Sequence, residues 1–217
     1  QAITRRGKYL CFHFDNGLTM IVHLGMSGAI RLHFHGEAHY DQPGLHDHFL
    51  VYFVNGPVMV LNDPRRFGMV YVSLTAQLNE HRAFQGMGTE PLAPGFDSAL
   101  LAEKLKRHGA PIKNILLDQH IVAGLGNIYI CEALYEAGIH PRRPARTLDI
   151  QECESLCSAI KAVLSRAIEA GGTSLRDHKR VDGSLGDFQN HFNVYQREGE
   201  ACGYCRCDGQ RSSAIVC

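Results

Sequence analysis

No uninterrupted apolar run in this sequence approaches the roughly 18 residues that a membrane-spanning helix needs. No secretory signal is read at its start. An excess of charge of either sign is missing too. Lys+Arg and Asp+Glu both total 22, so the formal net charge is zero. The overall positive excess common in nucleic-acid binders is therefore absent, and on totals alone that argues against such a partner. Internal repeats and low-complexity segments are also absent, which excludes solenoids, arrays and biased linkers.

What is there is a chain of 217 residues, 45% of them hydrophobic. That suffices for one large or two small domains with a substantial core. Charge distribution matters more than its sum, and the basic residues cluster as "TRRGK" (4–8), "PRR" (64–66), "HPRRPAR" (140–146) and "RDHKR" (176–180). The cysteines fall into two groups. Cys11, Cys131, Cys153 and Cys157 lie in apolar-periodic segments and are expected in the core. Cys202, Cys205, Cys207 and Cys217 crowd the last residues, where metal binding is expected over a disulfide framework.

Residues 1–74 read as β structure. "KYLCFHF" (8–14) alternates, with Leu10, Phe12 and Phe14 on one face; "LTMIVHL" (18–24) follows the turn "DNG". "AIRLHFH" (29–35), "HFLVYFV" (48–54), "PVMVL" (57–61) and "MVYVS" (69–73) complete a pattern that predicts an antiparallel sandwich or barrel. A linker is expected over 75–97. Helices are then predicted over 98–108, capped by Asp97, over 111–119 with Pro111 in its first turn, and over 126–138. The longest, about 150–170, is capped by Asp149 and stopped by Gly171-Gly172; Ile150, Cys153, Cys157, Ile160, Leu164 and Ile168 form its apolar stripe. A loop-rich tail, 173–217, ends in the cysteine cluster.

Four stretches could carry chemistry. In "LNDPRRFGMVYV" (61–72), Arg65, Arg66 and Phe67 stand together at a strand connection, which asks for a partner both anionic and stackable. "HLGMSG" (23–28) sets Met26 between glycines, either as core beside a turn or as a loop tip. "DQHIVAGLGNIYICEAL" (118–134) joins two helices through Gly124 and Gly126. By spacing it is an ordinary corner, although glycines and a helix N-terminus also suit a phosphate, with Asn127 as a further donor. "CGYC" (202–205) is a knuckle-type pair for which zinc is the natural use, though a structural site needs four ligands. "HDH" (46–48) offers no third metal ligand and reads as structural or surface.

In order, "RRGKYL", "HLGMSG", "HDH", "NDPRRFG", "PIKNILLDQ", "GLGNIY…EAL…AGIHP", "GGTSLRD", "VYQREGEAC" and the terminal cysteines resemble the formamidopyrimidine-DNA glycosylase / endonuclease VIII family, its formamidopyrimidine branch in particular. The resemblance spans nearly the whole chain. It implies an α+β fold: an antiparallel β-sandwich, a helical domain (98–172) with a helix–two-turn–helix motif, and a C-terminal zinc finger, with damaged double-stranded DNA in the cleft between domains. It also implies a monomeric, cytoplasmic, nucleoid-associated repair enzyme that removes oxidised purines (formamidopyrimidine, 8-oxoguanine) and cleaves the strand as an AP lyase.

By the same resemblance, Met26, Arg65 and Phe67 match the residues that fill the gap left by a flipped base. Arg65 would bond the orphaned base, Phe67 wedge the stack and Met26 fill the void, with Asp63-Pro64 fixing the loop. Lys8, His23, Lys113, Asn127 and Arg211 match phosphate contacts. The loop closing over the flipped base corresponds to 173–190. Cys202, Cys205 and Cys217 match ligands of one structural zinc. The family's N-terminal proline nucleophile and its neighbouring glutamate have no counterpart after Gln1, and the second cysteine pair stops at Cys217. The expectation is thus a fragment with no catalytic residue of its own and no activity as it stands. The alternatives are a non-catalytic damage-binding protein and, more remotely, a ribosome-type RNA binder sharing only the helix corner; "DPRRFG" on a strand connection argues against the last.

Overall fold

The structure is a computed structural model and describes residues 2–34, 43–174 and 184–200. The chain forms two compact units, Gln1–His81 with Ala170–Gln189, and Arg82–Glu169 with the segment that begins at Asn190.

The first unit is built on seven antiparallel strands: β1 (Ala2–Arg6), β2 (Tyr9–His13), β3 (Leu18–His23), β4 (Ala29–His33), β5 (Asp47–Tyr52), β6 (Val58–Asn62) and β7 (Met69–Leu74). They make two sheets, ordered β1-β2-β3-β7 and β4-β6-β5. Met20 and Val22 of β3 meet Met59 and Leu61 of β6 in the core, and Leu10, Phe12 and Phe14 pack against them as their alternation predicts. β3 is central and buried on both faces: Ile21 is fully enclosed, and the buried Thr19 hydroxyl bonds His13 (2.9 Å) and Thr75 (2.8 Å). The chain crosses from the first sheet to the second between β3 and β4, and returns between β6 and β7.

β1 departs from expectation. "TRRGK" reads as a basic cluster, yet Ala2–Arg6 pairs with His13–Tyr9 through a turn at Gly7-Lys8. It is an edge strand with exposed charged and polar residues, a composition that hides strand pattern and blunts edge-to-edge association.

The second unit holds α1 (Ser98–Leu105), α2 (Ile112–Leu117), α3 (Asn127–Glu136) and α4 (Ile150–Glu169), with α4 packed on α1 and α3. Asp97 caps α1 by accepting the Leu100 N–H at 2.8 Å. Asp149 and Glu152 make a reciprocal capping box on α4, at 2.8 and 2.9 Å. Pro111 is the N-cap of α2 rather than part of its first turn. The stripe of α4 is rotated from the predicted one. Cys153, Leu156, Cys157, Ile160, Val163 and Ala167 are buried, whereas Ile150 and Ile168 are exposed: Cys153 and Ala167 show that both terminal turns are covered, so the two isoleucines lie off the buried face rather than beyond it. Cys11, Cys131, Cys153 and Cys157 are all buried free thiols, and burial pushes Cys157 up to about 12. Among the described residues no helix is long and apolar enough to cross a membrane.

Glu132 of α3 is buried and accepts four hydrogen bonds: from the backbone N–H groups of Asn193 (2.8 Å), Val194 (3.0 Å) and Tyr195 (2.9 Å), and from the Asn193 amide (3.1 Å). It staples an irregular segment to the helical core. Glu132→Gln turns an NH2 toward donors and should cost about 2–3 kcal/mol. Urea unfolding should show the loss, and amide exchange at 193–195 should accelerate more than in α4; unchanged exchange there would contradict the staple.

Candidate nucleic-acid interface

Two loops carry the chain between the sheets, and they are fastened to each other. Asp63, at the end of β6, is 2% exposed. Its Oδ1 accepts the Ser27 hydroxyl at 2.6 Å and its Oδ2 accepts the Gly68 N–H at 2.6 Å. The Ser27 oxygen in turn accepts the Arg65 N–H at 3.2 Å. Burial alone would raise the Asp63 pKa, but the Ser27 hydroxyl and the N–H groups of Gly68, Arg65 and Arg66 outweigh it and hold the carboxyl below its ordinary value. Gly25 closes the junction from the other loop. A Cβ there would lie 2.6 Å from the Phe67 carbonyl carbon, and its φ of +65° is left-handed.

On this base stand three exposed side chains. Met26 is 70% exposed and Phe67 52%, so Phe67 is not part of the β core. Arg66 adopts φ +58°, rare for a residue with a side chain. The Arg65 guanidinium carbon lies 4.9 Å from the Phe67 ring centroid, so a cation and an aromatic face are presented together.

The same end of the first sheet bears Lys8 and His23. Tyr9, His23 and Met69 are aligned across β2, β3 and β7, so the Gly7-Lys8 turn, the end of β3 and the start of β7 share one rim with both crossovers. His23 Nδ1 accepts the Gly25 N–H at 3.0 Å, which leaves Nε2 as the proton-bearing nitrogen, and its ring lies 4.8 Å from that of Tyr9. Desolvation, then the nearby Lys8 charge, lowers the His23 pKa. Desolvation lowers that of Lys8 as well.

In the second unit, α2 and α3 are joined by two successive turns. Asp118 Oδ1 accepts the His120 N–H (2.9 Å), and the Ile121 N–H returns to the Asp118 carbonyl (3.0 Å). Gln119 ties the second turn: its amide donates to the Leu117 and Leu125 carbonyls, both at 3.0 Å, and its oxygen accepts the Gly124 N–H at 2.9 Å. Asn127 is the exposed first residue of α3, after a Gly126 N-cap that offers no side-chain bond. Cys131 Sγ lies 3.8 Å from Asn127 Oδ1; burial raises the thiol's pKa although Lys113 sits beside it. Lys113 and Asn127 thus converge at one end of α3. Gln119 and Glu132 escape sequence reading because both partner backbone groups, which leave no trace in residue pattern.

Arg211, Cys202, Cys205, Cys207 and Cys217 lie outside the described residues, as does 175–183 of the expected 173–190 loop. His46 and His48 have ring centroids 6.4 Å apart, and no group of three potential metal ligands occurs among the described residues.

Comparison with known proteins bears on this geometry. The family model described as formamidopyrimidine-DNA glycosylase N-terminal domain matches residues 1–70, and the formamidopyrimidine-DNA glycosylase H2TH domain matches residues 87–179. The formamidopyrimidine-DNA glycosylase of Rhodospirillum rubrum is 45% identical over 215 residues, covering 99% of this chain and 75% of the relative. That of Ruegeria pomeroyi is 45% identical over 213 residues, covering 96% and 75%. Among solved structures, the MutM (Fpg) protein of Thermus thermophilus superposes with a TM-score of 0.83 at 37% identity, covering 94% of this chain and 73% of that one. The Lactococcus lactis Fpg in complex with abasic-site DNA does so with a TM-score of 0.84 at 37% identity, with the same coverage.

A lowered His23 pKa sets the sign of a pH effect. Between the folded value and the unfolded one, near ~6.5, the unfolded state binds more protons. The contribution of His23 to stability is therefore complete above that unfolded value and lost as pH falls through the folded one. The difference in unfolding free energy between wild type and His23→Gln should shrink across that window, and an NMR titration should place His23 below ~6.5. A pH-independent difference would contradict the neutral, Gly25-bonded ring.

Proposed function

The chain belongs to the formamidopyrimidine-DNA glycosylase family, and from that premise we propose that it acts in base-excision repair, removing oxidised purines such as formamidopyrimidine and 8-oxoguanine from duplex DNA with AP-lyase cleavage of the strand. The observation that carries this reading is the exposed trio of Met26, Arg65 and Phe67 on a buried, fully bonded base. Removing a base demands that it leave the stack, and the gap must be filled. Phe67 enters the stack as an apolar wedge, Met26 fills the void, and the Arg65 guanidinium bonds the base left without a partner.

Lys8 and His23 on the first unit, and Lys113, Asn127 and Arg211 beyond it, hold phosphates and so set register rather than read sequence. The α2–α3 connection is the family's helix–two-turn–helix motif, with the start of α3 and Asn127 donating to a phosphate. Cys202, Cys205 and Cys217 would hold a structural zinc, which their thiolates suit, and no chemical step passes through it. The lyase chemistry requires an amine to attack the sugar C1′ with loss of the base, giving an iminium that permits strand elimination. None of the described residues is assigned that role.

Anisotropy titrations against duplex carrying an abasic-site analogue test the assignment. Affinity should fall steeply with salt, and Lys113→Ala should weaken binding to all duplexes alike while reducing the log–log salt slope by about 0.9. Arg65→Ala should instead cost about 1–3 kcal/mol of discrimination among the four bases opposite the lesion. Salt-independent binding, or unchanged discrimination in Arg65→Ala, would contradict the roles given to these residues.

A further inference from the structure

Behind the exposed trio lie two polar side chains too buried to meet DNA, Ser27 at 4% exposure and Asp63 at 2%. Their bonds do not stabilise each loop separately. Ser27 follows Met26 in the first crossover, yet its hydroxyl donates to Asp63 and accepts the backbone N–H of Arg65, both in the second. Asp63 completes the circuit by accepting the Gly68 N–H on the far side of Phe67. Gly25, preceding Met26, is pressed against the Phe67 carbonyl. Each exposed residue is thus flanked by a group bonded to, or in contact with, the loop that bears the others.

We infer that Ser27 and Asp63 are positioning residues that latch the two sheet crossovers into one rigid unit, so that Met26, Arg65 and Phe67 insert together rather than ordering loop by loop on DNA. The inference rests on the insertion role proposed above. The Ser27 hydroxyl spans the two crossovers, so parting them costs the bond to the Asp63 carboxylate and the bond from the Arg65 N–H together, while Gly68 keeps Asp63 fixed within its own loop. A preassembled wedge spends little binding energy on ordering, and more of it is retained as preference for the correct opposite base.

The test uses Ser27→Ala, which deletes one hydroxyl; Asp63→Asn, which turns an amide toward a donor; Gly25→Ala, which forces the loops apart; and Ser27→Thr, which keeps the hydroxyl. Each is assayed by melting temperature, by affinity for undamaged duplex, and by affinity for duplex with an abasic-site analogue opposite each base. Arg65→Ala serves as the reference. The expected result for folded Ser27→Ala is unchanged affinity for undamaged duplex with about tenfold loss of opposite-base preference, approaching that of Arg65→Ala. Ser27→Thr should restore the preference, and Gly25→Ala should lose it even if Asp63→Asn does not fold. Wild-type preference in folded Ser27→Ala and Gly25→Ala, with preference lost in Arg65→Ala, would overturn the latch and leave the insertion role standing. Wild-type preference in Arg65→Ala would overturn both.

Discussion

The buried carboxylate of Asp63 is the constraint on which the interface depends. A two-layer β fold must pass its chain from sheet to sheet, and the passages cannot take part in either ladder. Here there are two, after β3 and after β6, and they leave the sandwich at the same rim. Irregular backbone of that kind has unpaired N–H groups and little to hold it. Asp63 gathers Ser27 and Gly68 at 2.6 Å each; burial pushes its pKa up, and the Ser27 hydroxyl with the N–H groups of Gly68, Arg65 and Arg66 together hold the carboxyl below its ordinary value. Above this bonded base Met26 and Phe67 stand exposed.

A second buried carboxylate does a parallel task in the helical unit. Glu132 projects from α3 and collects the backbone of 193–195. Neither carboxylate is placed for chemistry. Both give irregular backbone bonded partners; Arg65 and Phe67 stand on the loop that Asp63 fastens, whereas Glu132 ties 193–195 to α3 and does not itself hold Asn127.

Much of this is legible in sequence. The alternation of Leu10, Phe12 and Phe14, the caps Asp97 and Asp149, and the buried cysteines follow from periodicity and local chemistry that act within a few residues. The ordered motifs point to the family, and "NDPRRFG" beside "HLGMSG" points to the exposed trio. What stays hidden depends on distant partners. β1 is masked by the arginines and threonine that suit an edge strand. The stripe of α4 misleads at Ile150 and Ile168 because Leu156, Val163 and Ala167 shift the buried face away from them, and apolar periodicity alone does not choose between two adjacent stripes. The Ser27 bond spans 36 residues and the Glu132 bonds more than 60, and no residue pattern reports such pairing.

The central claim is that Phe67 and its neighbours occupy the base stack when damaged duplex is bound. The most direct measurement places the fluorescent base 2-aminopurine next to an abasic-site analogue and follows its emission as protein is added. Insertion unstacks the reporter, so emission should rise on binding, while Phe67→Ala, still bound at saturating concentration, should leave it near the free-duplex level. An equal rise with Phe67→Ala, or none with the wild-type chain at saturation, would contradict the account.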